Sequence, residues 1–194
     1  MRKAKKERVS KETKVFVEIN LDGRGEAKIK TGIPFFDHML ELFSRHGLFD
    51  LKIEAQGDIE VDFHHTVEDV GITLGESFKE ALGDKKGITR YGWAFIPMDE
   101  SLSQVVVDIS SRPQLIFKGE LRKEKVGSFD TELLPVFLEA FAVHAGLTLH
   151  VNIFYGENLH HMIESVFKAL GRALRMAVKI DERERGIPST KGIL

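Results

Sequence analysis

A short histidine pattern occurs twice in this sequence and constrains its fold more than any other feature. Two adjacent histidines with a glutamate three residues later recur with a shift of 96 positions (160 minus 64): His64, His65 and Glu68, then His160, His161 and Glu164. Valine, leucine and glycine residues beyond them repeat with the same shift: Val70, Leu74 and Gly75, then Val166, Leu170 and Gly171. Such self-similarity indicates an internal duplication. We therefore predict two repeat halves, residues 1–87 and 88–194, that form one compact unit.

Hydrophobic periodicity predicts the same kinds of elements in both halves. The predicted helices are 34–46, 64–82, 131–144 and 159–178. The predicted strands are 13–19, 27–30, 51–55, 93–97, 102–110, 114–118 and 147–154. The glycine-rich turn at 22–25 predicts a hairpin between the first two strands. Two sheets, each backed by two helices, correspond to an internally duplicated α+β fold with a sheet layer and a helix layer in each half.

Composition limits the kinds of partner. The 194 residues are 42% hydrophobic, which is enough for a core, and the formal net charge of −2 argues against a general nucleic-acid binder. The basic residues near the N-terminus are interpreted as a solvated tail: Arg2, Lys3, Lys5, Lys6 and Arg8. No apolar run approaches the roughly 20 residues that span a bilayer. With no cysteine, any metal must be held by nitrogen and oxygen, and a reducing cytoplasm is the expected location.

The paired histidines indicate metal binding. On a helix, His64 and Glu68 share a face, while His65 is turned away by about 100°. One such segment therefore suits two different ions, and two segments brought together by the fold or by a subunit contact could complete two sites. Imidazole with carboxylate suits manganese, iron, zinc or nickel, and ligand type does not choose among them. The spacing differs from the zincin pattern, so protease activity is not indicated.

Other polar residues are open to two interpretations. Arg90, Arg112, Lys168 and the segment 189–192 offer the cationic and hydroxyl donors that a phosphate requires, or they are solvated surface residues. His38 lies among apolar helix neighbours and could be a core histidine. His46, His144 and His150 are interpreted as structural or surface residues.

Four segments resemble the signature segments of the imidazoleglycerol-phosphate dehydratase family: 36–40, 64–69, 156–164 and 187–192. The resemblance extends from about residue 8 to residue 194. It implies halves similar to the second domain of ribosomal protein S5 and a late dehydration step in histidine biosynthesis with manganese, two ions per active site. It also implies a hollow octahedral homo-oligomer, a 24-mer with metal sites shared between neighbours.

The resemblance also implies roles for individual residues. The implied metal ligands are His38, His64, His65, Glu68, His160, His161 and Glu164. The implied substrate contacts are Glu12, His38, Arg90, Arg112, Lys168, Ser189 and Lys191, with Glu12 as the candidate for catalytic proton transfer. Some members of the family have a further ligand histidine where Val136 stands here. One ion is then a ligand short, and water, substrate or a shifted residue such as His144 would fill the gap.

Metal-assisted dehydration is the hypothesis that these residues favour, and there are alternatives to it. A divalent ion on each nitrogen of the substrate's imidazole would stabilise an imidazolate while a C–H proton and a hydroxide leave. A two-metal phosphoester hydrolase would require similar residues. A metal-stapled assembly protein or an RNA-binding module is the non-enzymatic alternative, although the near-neutral charge disfavours RNA.

Overall fold

A four-stranded sheet and two helices form each half of the chain in the computed structural model, which describes residues 2–194. The first half consists of β1 (Lys3–Val9), β2 (Thr13–Asn20), β3 (Ala27–Lys30), α1 (Pro34–Gly47), β4 (Asp50–Gly57) and α2 (His64–Leu82). The second consists of β5 (Tyr91–Met98), β6 (Ser101–Asp108), β7 (Gln114–Lys118), β8 (Lys125–Val126), β9 (Phe129–Asp130), α3 (Leu133–Ala145), β10 (Thr148–Tyr155) and α4 (Leu159–Ala177).

The two sheets have the same topology. Their strand orders are β1-β2-β4-β3 and β5-β6-β10-β7, and β8 and β9 form a separate small ribbon. In each sheet the first three strands are antiparallel, and the fourth pairs in parallel with its neighbour. Because the same strand order and pairing recur in both halves, the duplication predicted from the histidine pattern and the α+β class predicted from hydrophobic periodicity are confirmed.

Helices from different halves pack against each other between the sheets. α1 packs on α4, and α2 packs on α3. Glycines that belong to the sequence repeat allow the close approach. A Cβ at Gly75 would lie 2.8 Å from the carbonyl oxygen of Phe141 on α3, and one at Gly171 would lie 2.6 Å from that of Phe43 on α1. Each distance is shorter than a van der Waals contact, so both helix pairs depend on these glycines.

One hydrophobic core joins the two halves. Its largest members are phenylalanines with 0–1% exposure: Phe36, Phe43, Phe49, Phe78, Phe129, Phe137, Phe141 and Phe167. Phe137 stacks on Phe167 at a centroid distance of 5.2 Å, and Phe43 meets Phe141 edge-on at 6.1 Å. Each buried phenylalanine contributes about 1.5–3 kcal/mol relative to exposure. The histidine-bearing helices are therefore anchored in a shared, rigid core.

The N-terminal segment is a strand, so its interpretation as a solvated tail is wrong. β1 pairs along its whole length with β2. Lys6 forms an ion pair with Glu80 at 2.5 Å, and Arg8 forms one with Asp69 at 2.7 Å. Main-chain pairing does not require apolar side chains, and charged residues suit an edge strand because they discourage pairing with other chains.

The predicted hairpin at 22–25 is also wrong. β3 does not pair with β2 but lies parallel to β4, because β2 already has β1 on one side and β4 on the other. Asp50 instead stabilises the turn, since its Oδ1 accepts hydrogen bonds from the amides of Arg24 at 2.7 Å and Glu26 at 3.2 Å.

The four predicted helices are confirmed, with differences of one or two residues at their ends. The division at residues 87 and 88 stays a prediction; it falls in the segment between the end of α2 at Leu82 and the start of β5 at Tyr91. Within residues 2–194, none of the helices combines the length and the apolar character needed to cross a bilayer.

Candidate active site

Three potential metal ligands meet where α1 packs on α4. One donor atom from each of His38, His160 and Glu164 lies within 4.8 Å of the others. The Glu164 Oε2 atom is 3.0 Å from His160 Nε2 and 3.7 Å from His38 Nε2. His160 and Glu164 face each other because they are four residues apart on one helix. His38 joins them only through the contact between the two helices.

Lys168 extends this cluster by one helical turn. Its Nζ lies 2.6 Å from Glu164 Oε1 and 3.2 Å from the sulfur of Met98. Burial raises the pKa of the Glu164 carboxyl, but the hydrogen bond and the charge of Lys168, together with His160, outweigh burial and hold that pKa below its usual value. Glu164 is therefore an ionised carboxylate, as a metal ligand must be.

The second histidine of each pair is held by a carboxylate. His161 Nδ1 lies 2.8 Å from Glu100 Oε2, and His65 Nδ1 lies 3.0 Å from Asp58 Oδ2. The hydrogen bond to Glu100 raises the pKa of His161, and the hydrogen bond to Asp58 raises that of His65. When Nδ1 donates to a carboxylate, Nε2 is the nitrogen left to bind a metal. Both side chains thus have the arrangement that carboxylates impose on metal-binding histidines.

Glu100 also fixes the start of α4. Its Oε1 accepts hydrogen bonds from the amides of Glu157 at 3.1 Å and Asn158 at 2.8 Å. The amide of Asn158 and the His161 side chain hold the pKa of Glu100 far below its usual value. The Asn158 side chain then caps the helix by accepting a hydrogen bond from the amide of His160 at 2.9 Å. The loop before α4 therefore sets the direction of both histidines.

The contact between α2 and α3 is the repeat-related counterpart of the α1–α4 cluster, but it has a different set of potential metal ligands. His64 and Glu68 line a cavity of about 360 Å³ together with Val136, Glu139 and His144. In the repeat between α1 and α3, Val136 corresponds to His38 (Leu40 matches Leu138, a shift of 98). His144 lines the same cavity, but its Nδ1 lies 3.5 Å from Glu76. Among residues 2–194, three donor side chains come together only in the α1–α4 cluster.

Glu12 lies in the turn between β1 and β2, next to His65. Its Oε2 is 3.8 Å from His65 Nδ1, and its backbone carbonyl accepts a hydrogen bond from the Asp58 amide at 3.1 Å. Glu100 occupies the corresponding turn between β5 and β6, next to His161. The two turns are equivalent, but the Glu100 carboxylate accepts hydrogen bonds from amides of the loop before α4, whereas that of Glu12 is half exposed.

A second cluster gathers two of the predicted phosphate contacts around Asp108. Arg90 donates from Nε to Asp108 Oδ1 at 2.7 Å and from Nη1 to the carbonyl of Pro188 at 2.9 Å. Arg112 lies 3.8 Å from Asp108 and is largely exposed. Arg90 thus holds the segment that leads to Ser189 and Lys191, where the Lys191 amide donates to the Ser189 hydroxyl at 3.2 Å.

The fold does not bring all the predicted site residues together within one chain. Lys168 lies at the Met98 end of β5, whereas Arg90 precedes the first residue of that strand. Eight residues of strand span roughly 26 Å. The histidine-rich cluster and the arginine cluster of one chain are consequently well separated, which is more than one phosphorylated substrate could bridge.

Three acidic residues near these clusters were not among the predicted site residues: Asp58, Glu100 and Asp108. Glu100 could have been found by extending the repeat to the hairpin turns, since it occupies the turn equivalent to that of Glu12. Asp58 follows directly after β4, which is a common place for a functional side chain. No pattern in the sequence indicates Asp108.

Comparisons with known proteins agree with this arrangement. The family model described as imidazoleglycerol-phosphate dehydratase matches residues 31–174. An imidazoleglycerol-phosphate dehydratase from Clostridium botulinum is 62% identical over 191 residues, covering 98% of this chain and 97% of the relative. The enzyme of the same name from Thermoanaerobacter pseudethanolicus is 59% identical over 194 residues, covering 100% of both.

Solved structures show the same relationship. Imidazoleglycerol-phosphate dehydratase from Staphylococcus aureus superimposes with a TM-score of 0.84 at 45% identity, covering 92% of this chain and 99% of that one. The structure from Pyrococcus furiosus gives a TM-score of 0.83 at 39% identity, covering 97% of this chain and 100% of that one. Because the family model matches residues 31–174 and a relative 62% identical over 98% of this chain carries the same name, the chain belongs to the imidazoleglycerol-phosphate dehydratase family.

Proposed function

We propose that this protein dehydrates D-erythro-imidazoleglycerol phosphate to imidazole acetol phosphate in histidine biosynthesis. The observation that carries the proposal is the cluster of His38, His160 and Glu164 in a chain of this family. The reaction expels hydroxide from the carbon bonded to the imidazole and removes a C–H proton from the next carbon, and the resulting enol rearranges to the ketone. Both steps place charge on the substrate that the site must stabilise.

Manganese, at two ions per active site, is the cofactor in this proposal. The donor set supports it, because it contains only imidazole nitrogens and carboxylate oxygens, which Mn²⁺ accepts. His38, His160 and Glu164 would hold one ion, while His64 and Glu68 would contribute to the other. His65 and His161 would complete the sites through Nε2, since Asp58 and Glu100 occupy their Nδ1 atoms. When bound, the metal supplies a Lewis acid that stabilises negative charge on the substrate's ring.

Glu12 is the proposed proton-transfer residue. Its carboxylate lies next to His65 and is half exposed, so it can take a proton from the substrate. Glu100 is unsuited to that role because two backbone amides and His161 stabilise its ionised form. A base with a strongly lowered pKa takes up a proton poorly near neutral pH.

The substrate's phosphate would bind at the second cluster. The Arg112 guanidinium is largely exposed, and Ser189 and Lys191 follow the carbonyl that Arg90 holds. Arg90 would bind the phosphate together with Arg112 while it also orients this segment, and Lys168 and His38 would contact the substrate near the metal. Guanidinium and ammonium groups neutralise phosphate and fix its direction, which places the reacting carbons at the base.

Assembly from several copies belongs to the same proposal. One chain separates Lys168 from Arg90, so a complete site would use the histidine cluster of one copy and the arginine cluster of a neighbour. The outer face of the second sheet supports self-association because it exposes large aromatic side chains: Trp93, Phe95, Phe154 and Tyr155. We propose a closed homo-oligomer, the 24-mer implied by the family, located in the cytoplasm and without nucleic-acid or membrane partners. Light scattering with and without manganese would test it, and a protein that stays monomeric with the metal bound would contradict it.

Incubation of manganese-loaded protein with imidazoleglycerol phosphate tests the reaction. We expect a ketone product that retains its phosphate, and no product after chelation of the metal. A phosphoester hydrolase would release inorganic phosphate, and a scaffold would give neither product. Either of those results would contradict the dehydratase assignment.

A further inference from the structure

Lys85 is a buried lysine that has no carboxylate partner among residues 2–194. It lies in the segment between α2 and β5 and is 8% exposed. Its ammonium donates a hydrogen bond to the hydroxyl of Ser111. Burial lowers its pKa, with a further contribution from Lys79 and none from any carboxylate in residues 2–194. Burying an ammonium opposite a neutral hydroxyl disfavours folding, so stability alone does not account for this residue.

Both partners of this hydrogen bond have an uncommon backbone conformation. Lys85 has a φ of 61° and Ser111 a φ of 54°, in the left-handed region that residues other than glycine rarely adopt. Arg90, five residues after Lys85, has a φ of 72°. Left-handed residues persist where the surrounding structure holds them, and they concentrate at functional sites.

The segments joined by Lys85 and Ser111 are those that carry the two arginines of the second cluster. Arg90 ends the segment of Lys85, and Arg112 follows Ser111 directly. The Ser111 amide donates to the carbonyl of Gly146 at 2.9 Å, and the carbonyl of Arg112 accepts a hydrogen bond from Thr148 at 2.9 Å. The loop that presents Arg112 is thus held through its main chain, while the arginine side chain stays largely exposed.

We propose that Lys85 is a positioning residue that sets the distance between Arg90 and Arg112 and thereby the affinity for the substrate's phosphate. This inference rests on the proposed function for the location of the phosphate. Lys85 acts through Ser111 and has no contact with the reacting carbons. Removing it changes substrate affinity and leaves the chemical step unchanged.

Steady-state kinetics of the manganese-loaded full chain test this role. For Lys85→Met we expect KM for imidazoleglycerol phosphate to rise about 10- to 100-fold, the range for a displaced positioning contact, with kcat changed less than about twofold. The dissociation constant of inorganic phosphate, measured by calorimetry, rises in parallel. Lys85→Arg keeps a donor and restores most of the affinity. Lys86→Met, at the exposed neighbour that pairs with Asp84, is the matched control and behaves as wild type.

Ser111→Ala removes the hydroxyl that accepts the hydrogen bond from Lys85. This variant tests the positioning role if Lys85→Met does not fold. It also raises KM and weakens phosphate binding, and the two changes together are not additive because they break one interaction. Unchanged KM and unchanged phosphate affinity in folded Lys85→Met, or in Ser111→Ala, overturn the proposal. The proposal is also overturned if Lys85→Met and Lys85→Arg lose the same amount of thermal stability and the same fraction of kcat. That result would indicate a purely structural role for Lys85. If the wild type lacks dehydratase activity, the proposed function fails, while the phosphate titrations still test Lys85.

Discussion

The α1–α4 cluster and its counterpart between α2 and α3 occupy equivalent places in a duplicated fold, yet they differ in their donors. The first contains His38, His160 and Glu164, with Lys168 beside the carboxylate. The second contains His64 and Glu68, and Val136 stands where His38 would be. The histidine and glutamate of α2 and α4 are kept in both halves, while the contribution of the partner helix is not.

The difference shows that the fold and the donor set are separable. Helix packing depends on repeated glycines and on the repeat-related Phe43 and Phe141, so a valine on α3 satisfies the packing as well as a histidine does. Metal affinity depends on the number and type of donors. We therefore expect one strong and one weaker manganese site within each chain before any neighbour contributes.

The largest effect is expected for Glu12→Gln. This variant tests whether Glu12 transfers a proton, whereas Glu100 in the equivalent turn only orients His161. Turnover should fall by about 10²–10⁴-fold, the usual range for loss of a general acid or base. Metal content should stay at the wild-type level, because Glu12 is assigned no ligand role. Kinetics combined with metal analysis by mass spectrometry measures both, with Glu18→Gln on β2 as the control. Unchanged turnover would remove Glu12 from the mechanism.

Glu100→Gln should lower the affinity for manganese, in contrast to Glu12→Gln, which should lower turnover. Replacing the carboxylate that orients His161 should weaken manganese binding by about 10–100-fold, as for other residues that orient metal ligands. Asp58→Asn at His65 should have a smaller effect, because the Glu100 side chain also holds the loop before α4 through the amides of Glu157 and Asn158. Calorimetric titration of manganese into metal-free protein gives both constants. Equal wild-type affinity in both variants would contradict the assignment of His65 and His161 as ligands.

Val136→His should make the two clusters more alike. An added imidazole facing His64 and Glu68 should strengthen the weaker manganese site by roughly tenfold, equivalent to about 1.4 kcal/mol. The mirror change, His38→Val, should weaken the stronger site. Manganese titrations should show two classes of site in the wild type and a smaller gap in Val136→His. Ile180→His, at an exposed position, serves as the control. A single class of manganese site in the wild type would contradict the expected difference in affinity between the two clusters.

The smallest effect is expected on stability, for the hydrogen bonds that join α2 to the β1–β2 hairpin and α4 to the β5–β6 hairpin. In the first half Asp69, one turn after His65, bonds to Arg8 and Thr13; in the second half Ser165, one turn after His161, bonds to Ser103 at 2.6 Å. Arg8→Met should lower the free energy of unfolding by about 1–2 kcal/mol, since Asp69 is buried while Arg8 is partly exposed. Ser103→Ala should lower it by about 1 kcal/mol or less. Urea denaturation measures both, and a larger loss in Ser103→Ala would reverse the ranking.

Much of the site could be predicted because it depends on spacing within single helices. His160, Glu164 and Lys168 are separated by four residues each, so helical geometry alone places them on one face. The same geometry turns His65 away from His64, since adjacent helical residues do not face each other. Glu100 could not be found in this way, because its contact with His161 joins a turn to a helix 61 residues later. The N-terminal strand was missed because its pairing partner, and not its own composition, makes it a strand.

The sequence by itself determined the duplication, the helices and the inventory of nitrogen and oxygen donors, since these follow from local periodicity and residue chemistry. Only the tertiary structure decided that His38 meets Glu164, that Val136 faces His64, and that Arg90 and Lys168 lie at opposite ends of one strand. The physical reason is that contacts within an element are set by its own geometry. Contacts between elements depend on how distant parts of the chain pack, and that depends on the whole core at once.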